Sequence, residues 1–120
     1  MIFNVIFDYF SIAECEIMLA DSVDEKVYML LTTIPAGRVT TYGRIATCLS
    51  LPTSARLIAR ILSQLPDNTS LPWHRVVNAK GKISLPQNSN CYRIQKTRLE
   101  NEGLVFINDH IRLQKYGWYL

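Results

Sequence analysis

From Val23 the apolar residues Val27, Leu30, Leu31 and Ile34 recur every three or four positions, the spacing that lines one face of a helix. The preceding "SVDE", Ser22 to Glu25, is a capping-box pattern that starts this helix, and Pro35 and Gly37 in "IPAG" stop it. A second, short helix is predicted behind Thr40 or Thr41, either of which can cap it, with Tyr42, Ile45, Ala46 and Leu49 on one side. After the break at "SLPTS", Thr53 or Ser54 caps a third helix whose apolar positions are Leu57, Ile58, Ile61, Leu62 and Leu65. The pattern then changes. "RVVNAKGKIS" places β-branched Val76 and Val77 opposite Ile83 across a turn over Asn78 to Gly81, which predicts a hairpin. "LPQNSN" follows as loop, and a helix from about Asn90 to Glu102 ends at Gly103. A last hairpin, "LVFINDHIRL", turns at Asn108-Asp109, and "QKYGWYL" is expected to trail off.

Two short helices joined by a brief turn, the second cationic on its polar side, make a helix-turn-helix candidate. Arg56 and Arg60 stand one turn apart on that side. Ser54 and Ala55 at its start are small, which lets backbone approach a groove closely. Lys80 and Lys82 at the tip of the expected hairpin resemble a basic wing. The fold expected is α+β, mainly helical: a winged helix-turn-helix-like DNA-binding domain over residues 21–120. Residues 1–20 are expected to be an N-terminal extension, weakly ordered or packed loosely outside, because "MIFNVIFDYF" has neither a cap nor a hairpin at its flanks.

Composition narrows the partners. At 120 residues the chain suits one domain. Its net charge of +3 conceals an asymmetry: residues 26–98 carry eleven Lys and Arg against Asp67 alone, while residues 1–25 carry six acids and no base. A middle segment this cationic points to a nucleic-acid backbone. Apolar runs are far short of the ~20 residues that span a bilayer, so no membrane partner is expected. The start lacks a basic n-region and includes Asp8, a poor secretory signal. Cys15, Cys48 and Cys91 have no metal-ligand spacing and no even count for a disulfide framework, so neither metal nor cofactor is expected and the protein is read as intracellular.

"LPWHRVV", placed directly after a helix-turn-helix, sharpens this picture. With "IPAGRVTTYGRIA", "SARLIARIL" and "ENEG" in the same order, the stretch from about Asp24 to Tyr119 resembles the O6-alkylguanine-DNA alkyltransferase domain. In that family a Pro-Cys-His-Arg-Val motif carries the alkyl-accepting cysteine; the matching residues here are Pro72, Trp73, His74, Arg75 and Val76. A tryptophan at that place is the mark of the alkyltransferase-like proteins, which bind damaged bases without repairing them. The resemblance implies roles. Arg56 would enter the base stack, Tyr42 would help rotate the phosphate of the flipped nucleotide, and Ala55 and its neighbours would lie in the minor groove. The main-chain carbonyls of Trp73 and Val76 would accept from the flipped guanine, and His74 with Glu102 match the pair that draws the proton from the enzymes' cysteine. Double-stranded DNA containing O6-alkylguanine and nucleotide-excision-repair proteins are the implied partners, for a protein acting as a monomer.

Several positions depart from the family. Ala59 replaces a glycine and is expected to crowd the facing helix; Leu65 stands for a helix-ending Asn; Pro86 falls where relatives place a basic residue; "LPQNSN" lacks a Gly-Gly loop. A different reading of the same elements is a winged-helix transcription regulator that selects undamaged sequence through the major groove. A working alkyltransferase would need a cysteine at position 73.

Overall fold

The computed structural model describes residues 22–49 and 55–118; the expected 1–20 extension and the Thr53 or Ser54 cap lie outside the described residues. Helix α1 (Val23–Thr33) begins as "SVDE" predicts, the Ser22 hydroxyl accepting from the Glu25 N–H at 3.1 Å. It buries Val27, Leu30 and Leu31. Past Pro35 and Gly37 the chain enters β1 (Thr40–Thr41), and Thr41 caps α2 (Tyr42–Cys48) by accepting from the Arg44 N–H at 3.2 Å. Helix α3 (Ala55–Ser63) packs on α2 with Ile58 and Ile61 buried. Those two join Val27, Leu30, Leu31, Ile34, Ile45, Ala46 and Val76 in a first core. Each fully buried aliphatic side chain contributes about 1.5–3 kcal/mol, so this cluster is what seats the helix pair on α1.

The hairpin expected over residues 75–84 forms only at its turn, where the Asn78 N–H donates to the Lys82 carbonyl at 2.9 Å, and no second strand follows. A single 3₁₀ turn (Trp73–Arg75) leads into β2 (Val76–Val77), which pairs in parallel with β1, Thr40 against Val76 and Thr41 against Val77. The turn over Asn78 to Gly81 is present, closed by the Gly81 N–H donating to the Asn78 carbonyl and by Asn78 Oδ1 accepting from Lys80 and Lys82, each at 2.9 Å. Beyond it the chain is taken by the C-terminal hairpin: the Ile111 N–H donates to the Gly81 carbonyl at 2.9 Å. Only glycine fits there, since φ is +79° and a Cβ would stand 2.2 Å from the Ile111 carbonyl oxygen. Both valines are fully buried, Val76 in the first core and Val77 in a second with Val39, Leu99, Leu104 and Ile111. A strand buried on both sides suits a parallel pair better than a solvated wing.

Helix α4 (Asn90–Asn101) is capped by Ser89 and closes in a Schellman arrangement, Gly103 donating to Glu100 at 3.0 Å and Leu104 to Leu99 at 3.1 Å. Strands β3 (Phe106–Ile107) and β4 (His110–Ile111) form the expected antiparallel hairpin. Positive φ at both Asn108 and Asp109, 50° and 62°, gives the turn type that matches strand twist. The tail does not trail off as expected. After α5 (Leu113–Tyr116), the Val39 N–H donates to Tyr116 at 2.9 Å and the Trp118 N–H to Val39 at 2.7 Å, and Trp118 packs on the first core. No described helix is long and apolar enough to cross a membrane. The whole is α+β and mainly helical.

Candidate nucleic-acid interface

Helix α3 is sharply two-sided. Ile58 and Ile61 face the core, while Arg56 and Arg60 are exposed on the other side and Ala55, the first helical residue, is half-buried. Ser54 lies outside the described residues. Ala59, expected to crowd the facing helix, is an exposed residue of α3. Leu65, half-buried, packs on the first core, and Pro86 is exposed.

The Trp73 turn is built by a different kind of contact. Pro72 precedes it, and one carboxylate, that of Glu102, gathers the chain around it. His74 Nε2 donates to Glu102 Oε2 at 2.7 Å. Arg75 donates through Nε at 3.1 and 3.2 Å and through Nη2 at 2.9 Å, while its Nη1 reaches the Ile34 carbonyl at 2.8 Å. The fourth donor is backbone: the Gly37 N–H, aimed at Oε1 from 3.0 Å by a turn with φ of +84°. Glu102 is the C-cap of α4, so the helix terminus itself holds the carboxylate in place.

Burial works against the charge of Glu102, but Arg75, the Gly37 N–H and His74 outweigh it and hold its carboxyl down at about 2. Burial lowers the His74 imidazole from its ordinary value, with the Glu102 hydrogen bond and charge pulling the other way and Arg75 and Arg98 adding to the depression. An ionised carboxylate only accepts, so the neutral ring carries its proton on Nε2. Its Nδ1 is therefore a bare acceptor, buried and without a partner among the described residues.

Some of this arrangement has no sequence counterpart. Gln95, 2% exposed, donates from Nε2 to the carbonyls of His74 at 3.1 Å and Val76 at 2.9 Å, pinning the turn from behind. Its signal was faint: it fills the apolar face between Tyr92 and Leu99 at helical spacing, where a polar residue needs a buried partner. The Val76 carbonyl thus has one partner already, and the Trp73 carbonyl accepts from the Val76 N–H, so each keeps one lone pair. Tyr42 opens α2, and its hydroxyl hydrogen-bonds Ser84 at 2.9 Å; burial raises its pKa against that hydrogen bond. Trp73 is half-buried, edge-on to His74 at 6.4 Å, with the Arg98 guanidinium 5.6 Å from its ring centroid.

The structure therefore joins Pro72, Trp73, His74, Arg75, Val76 and Glu102 in one cluster and sets Ala55, Arg56 and Arg60 on a separate exposed helix. Residues 22–104, which contain both, match the model of the 6-O-methylguanine DNA methyltransferase DNA-binding domain. The chain belongs to that family. Within it, the chain groups with the alkyltransferase-like members. It is 41% identical to Alkyltransferase-like protein 1 of Schizosaccharomyces pombe, over 84% of this chain and 98% of that protein. It is 39% identical to the DNA base-flipping protein of Escherichia coli K12, over 82% of this chain and 75% of that protein. The crystal structure of S. pombe Atl1 in complex with damaged DNA containing O6-carboxymethylguanine superposes with a TM-score of 0.71 at 36% identity, covering 81% of this chain and 94% of that one. In this alkyltransferase-like domain, the turn at Trp73 leads straight into the strand that separates the two cores.

Proposed function

We propose that the protein binds O6-alkylguanine in double-stranded DNA, flips the damaged nucleotide out and holds it without repairing it. The observation that carries this reading is Trp73 beside an intact His74–Glu102 pair. Alkyl transfer needs a thiolate aimed at the O6-alkyl carbon, with His and Glu lowering its pKa. Trp73 takes the seat of that nucleophile. An indole has no group that ionises to a nucleophile near neutral pH, and the neutral imidazole and ionised carboxylate beside it serve to fix the turn. The ring supplies an apolar wall for an alkyl group.

The exposed face of α3 supports the approach to DNA. Arg60 meets phosphate and Ala55 allows close contact in the minor groove, while Arg56 fills the gap in the base stack and Tyr42 helps turn the backbone. Extrusion of a base costs a few kcal/mol, least for a badly paired lesion, which favours the damaged site over normal guanine. The held lesion then marks the site for nucleotide-excision repair, inside the cell, with the protein acting as a monomer. The DNA-bound Atl1 homologue supports lesion recognition as the general role.

Competition binding tests it. A duplex with one O6-methylguanine should displace labelled lesion duplex at least tenfold better than its guanine counterpart, and Arg56→Ala should remove that preference. Equal competition by both duplexes, with selection among undamaged sequences instead, would favour the transcription-regulator reading.

A further inference from the structure

Arg98, in the last turn of α4, holds its guanidinium over the Trp73 ring, 5.6 Å from the centroid. It has no acidic partner among the described residues. Glu102, one helical turn on, would be its ordinary partner at i+4, but both carboxylate oxygens are already taken by His74, Arg75 and Gly37. The charges around Trp73 therefore leave a remainder: Arg75 and Glu102 cancel, His74 is neutral, and one positive charge stays on Arg98.

We propose that Arg98 is a specificity-determining residue that favours O6-alkyl groups bearing a negative charge, such as carboxyalkyl adducts. The inference rests on the reading of Trp73 as the wall for the alkyl group. An alkyl chain laid on that indole shares the ring with a guanidinium. A terminal carboxylate there accepts charge-assisted hydrogen bonds that a neutral chain of the same shape accepts only weakly. Stacking on the ring also holds the guanidinium in place beforehand.

The test compares full-length protein on four duplexes of one sequence, containing guanine, O6-methylguanine, O6-carboxymethylguanine or its neutral isostere O6-carbamoylmethylguanine. The quantity read is the carboxymethyl-to-carbamoylmethyl affinity ratio, in which contacts to the shared phosphate backbone cancel. Wild type is expected to favour the charged lesion about fivefold, the scale of one partly exposed ion pair. Arg98→Gln should bring the ratio to one, and Arg98→Lys should keep part of it. A wild-type ratio of one overturns the proposal. So does an undiminished ratio in Arg98→Gln, the pattern expected if Arg98 touches only phosphate. Failure to prefer O6-methylguanine over guanine would instead strike the lesion-binding reading on which the inference rests.

Discussion

Helix α3 and the Trp73 turn both border the first core, α3 through Ile58 and Ile61 and the turn through Leu71 and Val76 on either side of it, and the two are fixed in opposite ways. In α3, two isoleucines face inward and two arginines outward, so the side chains that fix the helix and those it leaves exposed are separate. At the turn they are neighbours in sequence: His74 and Arg75, which bond to Glu102, directly follow Trp73. Glu102 draws in His74 from 28 positions away and Gly37 from 65. The exposed face of α3 can therefore be altered with little effect on the fold, whereas the shape of the turn depends on every partner of the carboxylate.

Glu102→Gln should have the largest effect. It leaves Arg75 without a countercharge at a half-buried site, and truncating such a pair costs about 3–4 kcal/mol. Thermal unfolding should show Tm lower by about 15 °C. Stability near wild type would mean the network is dispensable and the contrast with α3 false.

Acid should act next. Both Glu102 and His74 have folded values below their ordinary ones, so the unfolded chain takes up protons first. Their contribution is complete above the ordinary values and is lost as pH falls: for His74 once pH drops below 6.5, for Glu102 between 4.5 and about 2. After allowance for solvent screening, the Glu102 part amounts to about 2 kcal/mol. Chemical denaturation across this range should show the lower step in wild type and not in Glu102→Gln.

Gln95→Met, close in volume, removes the donor behind the turn and exposes two buried carbonyls to loss of a partner. A fall of about 1–2 kcal/mol is expected, together with weaker lesion preference. Arg56→Ala should change stability by less than about 0.5 kcal/mol while removing lesion preference, the reverse of a network residue. A large loss of stability there would erase the distinction between the two regions.

The same contrast explains what the sequence disclosed. α1 to α4 were legible because caps and three-to-four spacing are local: "SVDE" placed Ser22, the Ile58–Ile61 pair placed the buried side of α3, and Asn108-Asp109 placed the last turn. Pairing of β1 with β2 was not, since two residues carry no period and Val76-Val77 reads equally well as a hairpin arm. The anchoring of Tyr116 and Trp118 on Val39 uses only backbone groups, which leave no mark on residue type. At the site, the motif from Pro72 to Val76 and Glu102 came from family resemblance. Gly37 and Gln95 were missed because each acts across more than eighteen positions through a single amide.

Whether the lesion is held or cured is decided most directly by a duplex carrying isotopically labelled methyl on one O6-methylguanine, incubated with excess protein and then separated under denaturing conditions. The expected result is a preferential complex beforehand and the whole label on the DNA strand afterwards. Label recovered on any residue of the protein would contradict a Trp73 pocket that grips without transfer.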